Sequence, residues 1–118
     1  MINRLILLAI LTANAAHADV VTAPGGVLRM QDKMTGVIAD QDLSAGQSHT
    51  LGRLTVTLDA CRYPADLPMG EAFAHVTILD SDAPLFKGWM IASSPALSAL
   101  DHPRYDVWVL HCDVPAAG

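Results

Sequence analysis

Ser93, Ser94, Asp101, His102 and Asp106 bring the residue types of a hydrolytic triad into one short span, the nearest this chain comes to a catalytic set. A triad needs a serine on one imidazole nitrogen and a carboxylate on the other. Adjacent Asp101 and His102 cannot easily meet that demand, and no G-x-S-x-G elbow accompanies them. Ser94 followed by Pro95 has instead the form of a helix N-cap with proline at the first helical position, which predicts a turn or two of helix over residues 95–100. Asp101-His102-Pro103 reads as a turn locked by side-chain hydrogen bonds. No catalytic residue is expected.

Metal chemistry has no better footing. His49, His75, His102 and His111 show no i, i+2 or i, i+4 pairing with one another. Asp80 and Asp82 have the spacing that opens a calcium loop, but Pro84 follows, and the glycine and closing glutamate of such a loop are missing. Phosphate-cradling glycine loops are absent, and two Phe, two Tyr and two Trp are few for a ligand-stacking platform. The chain is expected to carry no metal and no cofactor.

The elements that must position these residues read as short strands. Residues 1–18 have a secretory layout: Arg4 in a basic start, an apolar run over 5–11, and Ala16-His17-Ala18 as a small-x-small cleavage site. The run is too short to span a bilayer. Export with cleavage after Ala18, a periplasmic location and no membrane span after cleavage are therefore expected. The remaining length suits one domain. Seven Lys/Arg against twelve Asp/Glu give a net charge of −5, and loss of Arg4 leaves six against twelve. That balance argues against nucleic acid and anionic lipid as partners.

Gly and Pro punctuate runs rich in Val, Ile, Leu and Thr, the all-β pattern. Residues 19–26 read as a flexible lead-in, 27–113 as a single β domain and 114–118 as a tail. Within the domain, seven strands are expected over 27–31, 37–43, 48–51, 54–61, 71–79, 85–92 and 105–112. The clearest begins at Leu54, where Leu54, Val56, Leu58 and Ala60 alternate with Thr55, Thr57 and Asp59. Cys61 and Cys112 are the only cysteines. In an exported chain such a pair is expected to form a disulfide, and their separation disfavours a redox or metal pair. Both sit at the C-terminal ends of strands, so those strands should run roughly the same way, as parallel neighbours or facing each other across two sheets. The architecture is either a small sandwich or a partly closed barrel.

Three blocks of the sequence resemble the domain-of-unknown-function 2155 family of small secreted bacterial proteins. They are LRMQDKMTG, LGRLTVTLDAC, and the long segment LFKGWMIASSPALSALDHPRYDVWVLHC. The order of the two cysteines, the Gly-Trp-Met segment and the Ser-Pro-Ala-Leu-Ser-Ala-Leu turn implies one shared fold. The loop over 63–70 is shorter here than in longer relatives. The resemblance also implies an association with respiratory complex I, which makes a periplasmic accessory subunit of that membrane-bound complex a specific expectation.

Two functions follow as expectations. The first is a non-catalytic envelope protein docking on a protein partner through Trp89, Met90, Pro95, Leu97, Leu100, His102 and Tyr105, since aromatics and Met on a rigid corner suit an interface core. The second is a small-molecule or glycan-binding β domain with a pocket between the sheets and His75, His102 or His111 as its polar group. A concave site with convergent polar groups would mark the second, and an exposed apolar patch the first.

Overall fold

The computed structural model describes residues 19–95, 100 and 102–115. The expected leader over 1–18, Leu97, Asp101 and the inner part of the expected 95–100 helix lie outside the described residues. Among the described residues there is no helix, and none long and apolar enough to cross a membrane.

Eight strands form: β1 (Val20–Ala23), β2 (Gly25–Asp32), β3 (Ile38–Ser44), β4 (Ser48–Leu51), β5 (Leu54–Pro64), β6 (Phe73–Asp80), β7 (Ala83–Ile91) and β8 (Tyr105–Cys112). They build two antiparallel sheets. The larger runs β1-β5-β6-β7, with β4 also pairing to β5, and the smaller runs β3-β2-β8. The architecture is therefore a sandwich. The strand beyond the expected seven is β1. It falls in the segment read as a loose lead-in, where it pairs Ala23 with Cys61 and Val20 with Pro64. The far end of β5 gives it a template that local sequence does not reveal.

The core lies between the sheets. Leu54, Val56, Leu58, Val76 and Ile78 from the larger sheet meet Leu28, Met30, Val107 and Val109 from the smaller, all essentially inaccessible. Each such side chain contributes about 1.5–3 kcal/mol relative to an exposed position.

Period-two alternation alone would not deliver the two cysteines to this core. With Leu54, Val56 and Leu58 facing inward, an unbroken β5 would point Cys61 to solvent. Instead the register slips between Leu58 and Ala60, leaving Asp59 as an extra residue, and Cys61 turns inward. The same happens on β8, where Tyr105, Val107 and Val109 face inward and the register slips so that Leu110 is the extra residue. Cys112 then also faces the core. A β-bulge reverses the phase of everything beyond it. Two bulges, one per sheet, thus make the Cys61–Cys112 bridge, with Cα atoms 5.7 Å apart. The expectation that Ala60 continues the inward face is corrected by the same slip. Gly26 pairs with Cys112, and a Cβ there would stand 2.8 Å from Cys61 Sγ, so only glycine fits against the bridge.

The turns follow local chemistry. Gly52 opens the two-residue β4–β5 turn at φ +59°, as a type II′ turn requires. Ser81 and Asp82 close the β6–β7 hairpin with φ of +44° and +72°, a type I′ arrangement without glycine. Left-handed backbone costs an L-residue about 1–2 kcal/mol, less for aspartate. Asp82→Gly is therefore expected to raise the unfolding free energy by roughly 0.5–1 kcal/mol in urea titration.

Candidate functional site

The His102-Pro103-Arg104 corner leading into β8 is a structural clasp. His102 Nδ1 accepts hydrogen bonds from the amides of Arg104 at 3.0 Å and Tyr105 at 3.2 Å. Nε2 therefore carries the hydrogen that faces Asp80 Oδ2 at 3.3 Å, at the end of β6. Both imidazole nitrogens are thus engaged within the fold. The Ser93 hydroxyl is engaged elsewhere, donating to the Glu71 carboxylate, which also accepts the amides of Ala72 and Ser93. Burial pushes the Glu71 carboxyl up, but these donors outweigh it and hold it below its ordinary value. Ser93 and His102 are not brought together as nucleophile and base. Among the described residues, no group of three His, Cys, Asp or Glu side chains stands close enough to hold a metal ion.

Beside His102, Arg104 forks onto Asp32, with Nη2 to Oδ2 at 2.8 Å and Nε to Oδ1 at 3.1 Å. Asp32 Oδ1 also accepts the amides of Met34 and Thr35, fixing the turn between β2 and β3. The Arg104 guanidinium, opposed by desolvation and aided by those amides, lowers the Asp32 pKa to about 2. A carboxyl whose folded pKa is depressed stabilises the fold above its unfolded value, and that contribution is lost as pH falls through the folded one. Stability is therefore expected to decline between about pH 4 and pH 2. Asp32→Asn should flatten that acid limb while lowering the neutral-pH melting temperature, as read by circular dichroism.

This geometry divides the surface expected from sequence. Met90 is 2% exposed, Leu100 5% and Tyr105 0%, so all three belong to the core. Met90 faces inward because β7 alternates and Trp89 takes the outer side. Tyr105 closes the sandwich at the end opposite the disulfide, with its hydroxyl accepting the Arg53 amide at 3.2 Å. His102 is occupied by the clasp, so His102→Ala is expected to cost stability through the lost amide acceptor. Pro95 is exposed, and Leu97 lies outside the described residues. Of the histidines expected to offer a polar group to a pocket between the sheets, His102 serves the clasp and His111 Nδ1 lies by its neighbour's carbonyl.

Trp89 remains, 42% exposed on the outer face of the larger sheet. β-Register places His75 beside it and Phe73 beside Ile91, while Arg62 lies opposite Phe73 on β5. The Arg62 guanidinium carbon sits 5.1 Å from the centre of the Trp89 ring, and the His75 ring meets it edge-on at 5.1 Å. His75 is fixed in turn by Asp59, the bulge residue, whose Oδ2 lies 2.7 Å from Nδ1 and 2.7 Å from the Thr77 hydroxyl. A carboxylate only accepts, so His75 Nδ1 carries the hydrogen. The bulge thus has a second consequence, since it sets the carboxylate that orients the ring bracing Trp89.

Next to this aromatic lies a cavity of about 260 Å³ lined by Val20, Arg62, Phe73, Trp89 and Ile91. Among the described residues, Arg62 supplies its only charged side chain. Sequence reasoning found Trp89 and missed the other four. The other tryptophan, Trp108, lies on the outer side of the smaller sheet with Arg29 6.0 Å from its ring centre, and Arg29 is held by Asp40. Neither tryptophan is a core residue.

The fold and site define a small disulfide-pinned β-sandwich that carries an aromatic groove on one outer face. Residues 26–112 match the family model described as "Uncharacterized protein conserved in bacteria (DUF2155)", and the chain belongs to that family. It is also similar to an uncharacterized protein of Rickettsia prowazekii (strain Madrid E), 28% identical over 104 residues, covering 84% of this chain and 67% of that protein. No solved structure matches the chain. The matched region spans both cysteines, the clasp and every groove residue except Val20.

Proposed function

We propose that this chain is a non-catalytic periplasmic envelope protein that docks on a protein partner through the outer face of the larger sheet around Trp89. The carrying observation is Trp89 itself, a large aromatic left exposed yet braced by Arg62 and His75 beside an apolar cavity. Rigid aromatic and arginine side chains at a patch centre are the residues that dominate interface energies. The inter-sheet disulfide supports an oxidising compartment. An accessory-subunit role on respiratory complex I is the specific form this takes, and that complex is the first partner to test. The small-molecule or glycan reading has less support. At about 260 Å³ the cavity falls below the range of roughly 300–1,000 Å³ usual for ligand pockets, and its polar lining does not converge.

The test is co-purification of the membrane complex with the full chain, expressed with its own leader and a C-terminal tag, in mild detergent. Trp89→Glu is expected to reduce recovery at least about tenfold, the effect of losing 1.4 kcal/mol or more. Trp108→Glu, on the opposite face, should leave recovery unchanged. Equal recovery by Trp89→Glu and the unaltered chain would refute this docking face.

A further inference from the structure

Resting on the docking face just described, the charge pattern within it identifies what docks. Three arginines of the described chain are neutralised internally: Arg29 by Asp40 at 2.7 Å, Arg53 by Asp80 at 3.4 Å and Arg104 by Asp32 at 2.8 Å. Lys33 likewise lies 3.6 Å from Asp106. Arg62 and Lys87 are different, since neither has an acidic partner among the described residues. Both lie on the outer face of the larger sheet, Lys87 two residues before Trp89 on β7 and Arg62 across β6 from it. In a chain of net charge −5, both unneutralised cations of the described residues flank the one exposed tryptophan. The carboxylate on this face, Asp59, is already taken by His75 and Thr77.

An arginine stacked on an indole keeps its in-plane N–H groups free for a carboxylate, and the stacking fixes their direction. The adjoining cavity suits one apolar side chain better than a free ligand. We infer that the groove recognises an acidic, apolar peptide segment of the partner: one apolar side chain lodges among Val20, Phe73 and Ile91, and a neighbouring carboxylate pairs with Arg62, with Lys87 extending the positive strip. Two copies joined patch to patch about a twofold axis would bring Arg62 and Lys87 against their own like charges, which disfavours self-association through this face.

The experiment uses the Trp108→Phe protein, so that its fluorescence reports Trp89 alone, titrated with end-capped peptides of alternating Leu and Glu, Leu and Lys, or Ser and Glu. Saturable quenching or shift is expected with the Leu-Glu peptide, and binding at least about tenfold weaker with the other two. Arg62→Gln should weaken Leu-Glu binding about tenfold and reduce its dependence on salt, while Arg29→Gln on the other sheet should change nothing. Unfolding midpoints confirm that both variants fold. Equal binding of Leu-Glu and Leu-Lys peptides, or an unaltered affinity in Arg62→Gln, would overturn the inference. So would a response confined to anionic lipid vesicles or soluble oligosaccharides. If Trp89→Glu still abolishes partner recovery while the peptides show no charge preference, the acidic-peptide inference fails and the docking face stands. If Trp89→Glu recovers the partner normally, both fail.

Discussion

Replacing Cys61 and Cys112 together by alanine is expected to lower the unfolding free energy by about 4 kcal/mol, the chain-entropy value for a loop spanning 51 positions. Such a loss is a large part of the stability of a domain this size. The bridge ties β5 of one sheet to β8 of the other at the end where β1 and the Trp89 groove also lie. Its removal should therefore loosen that end first. Hydrogen exchange is expected to accelerate at Val20–Ala23 and at the far end of β5 while the Tyr105 end stays protected. Unfolding in urea, with and without reductant, measures the free energy. A loss below about 1 kcal/mol would show that the sheets are held by packing alone.

Tyr105→Ala should have an effect of the same order. Tyr105 is fully buried where β8 begins, and truncating a buried aromatic costs roughly 3–5 kcal/mol. Tyr105→Phe separates the two contributions. It keeps the ring but leaves the Arg53 amide without its acceptor, for an expected cost of about 1 kcal/mol. Urea midpoints of the two variants should therefore differ widely. Similar midpoints would mean that the ring fills little of the core and that the hydroxyl carries the position.

The sequence made much of the fold legible. Strong alternation from Leu54, apolar runs of strand length and Gly or Asp turns are local signals, and β4 and β8 fall on the expected residues. The common direction of the two cysteine-bearing strands was also legible, because a disulfide constrains where their ends meet. The bulges at Asp59 and Leu110 were not. A bulge depends on how the partner strand pairs, and the sequence of one strand does not state its register. β1 was missed for a related reason, since four residues near two glycines form a strand only because β5 extends to receive them.

The site was less legible. The Gly88-to-Cys112 segment is the most distinctive stretch of the sequence, and the structure divides its residues by role. Met90 and Tyr105 fill the core, His102 and Arg104 clasp the end of the sandwich, and Trp89 faces outward. Distinctive residues at a tight corner can serve folding as readily as binding. Val20, Arg62 and Phe73 come to Trp89 from three other strands, and cross-strand register alone brings them together.

Docking through the Trp89 face is tested most directly by site-specific photo-crosslinking in living cells. A photoreactive side chain is placed in turn at Lys87 on the rim of that face, at Thr50 on β4 and at Ile38 on the outer strand of the smaller sheet. The account predicts one partner adduct from position 87, suppressed by Arg62→Glu, and none from positions 38 and 50. An adduct to the same partner from position 38 with none from position 87 would contradict it.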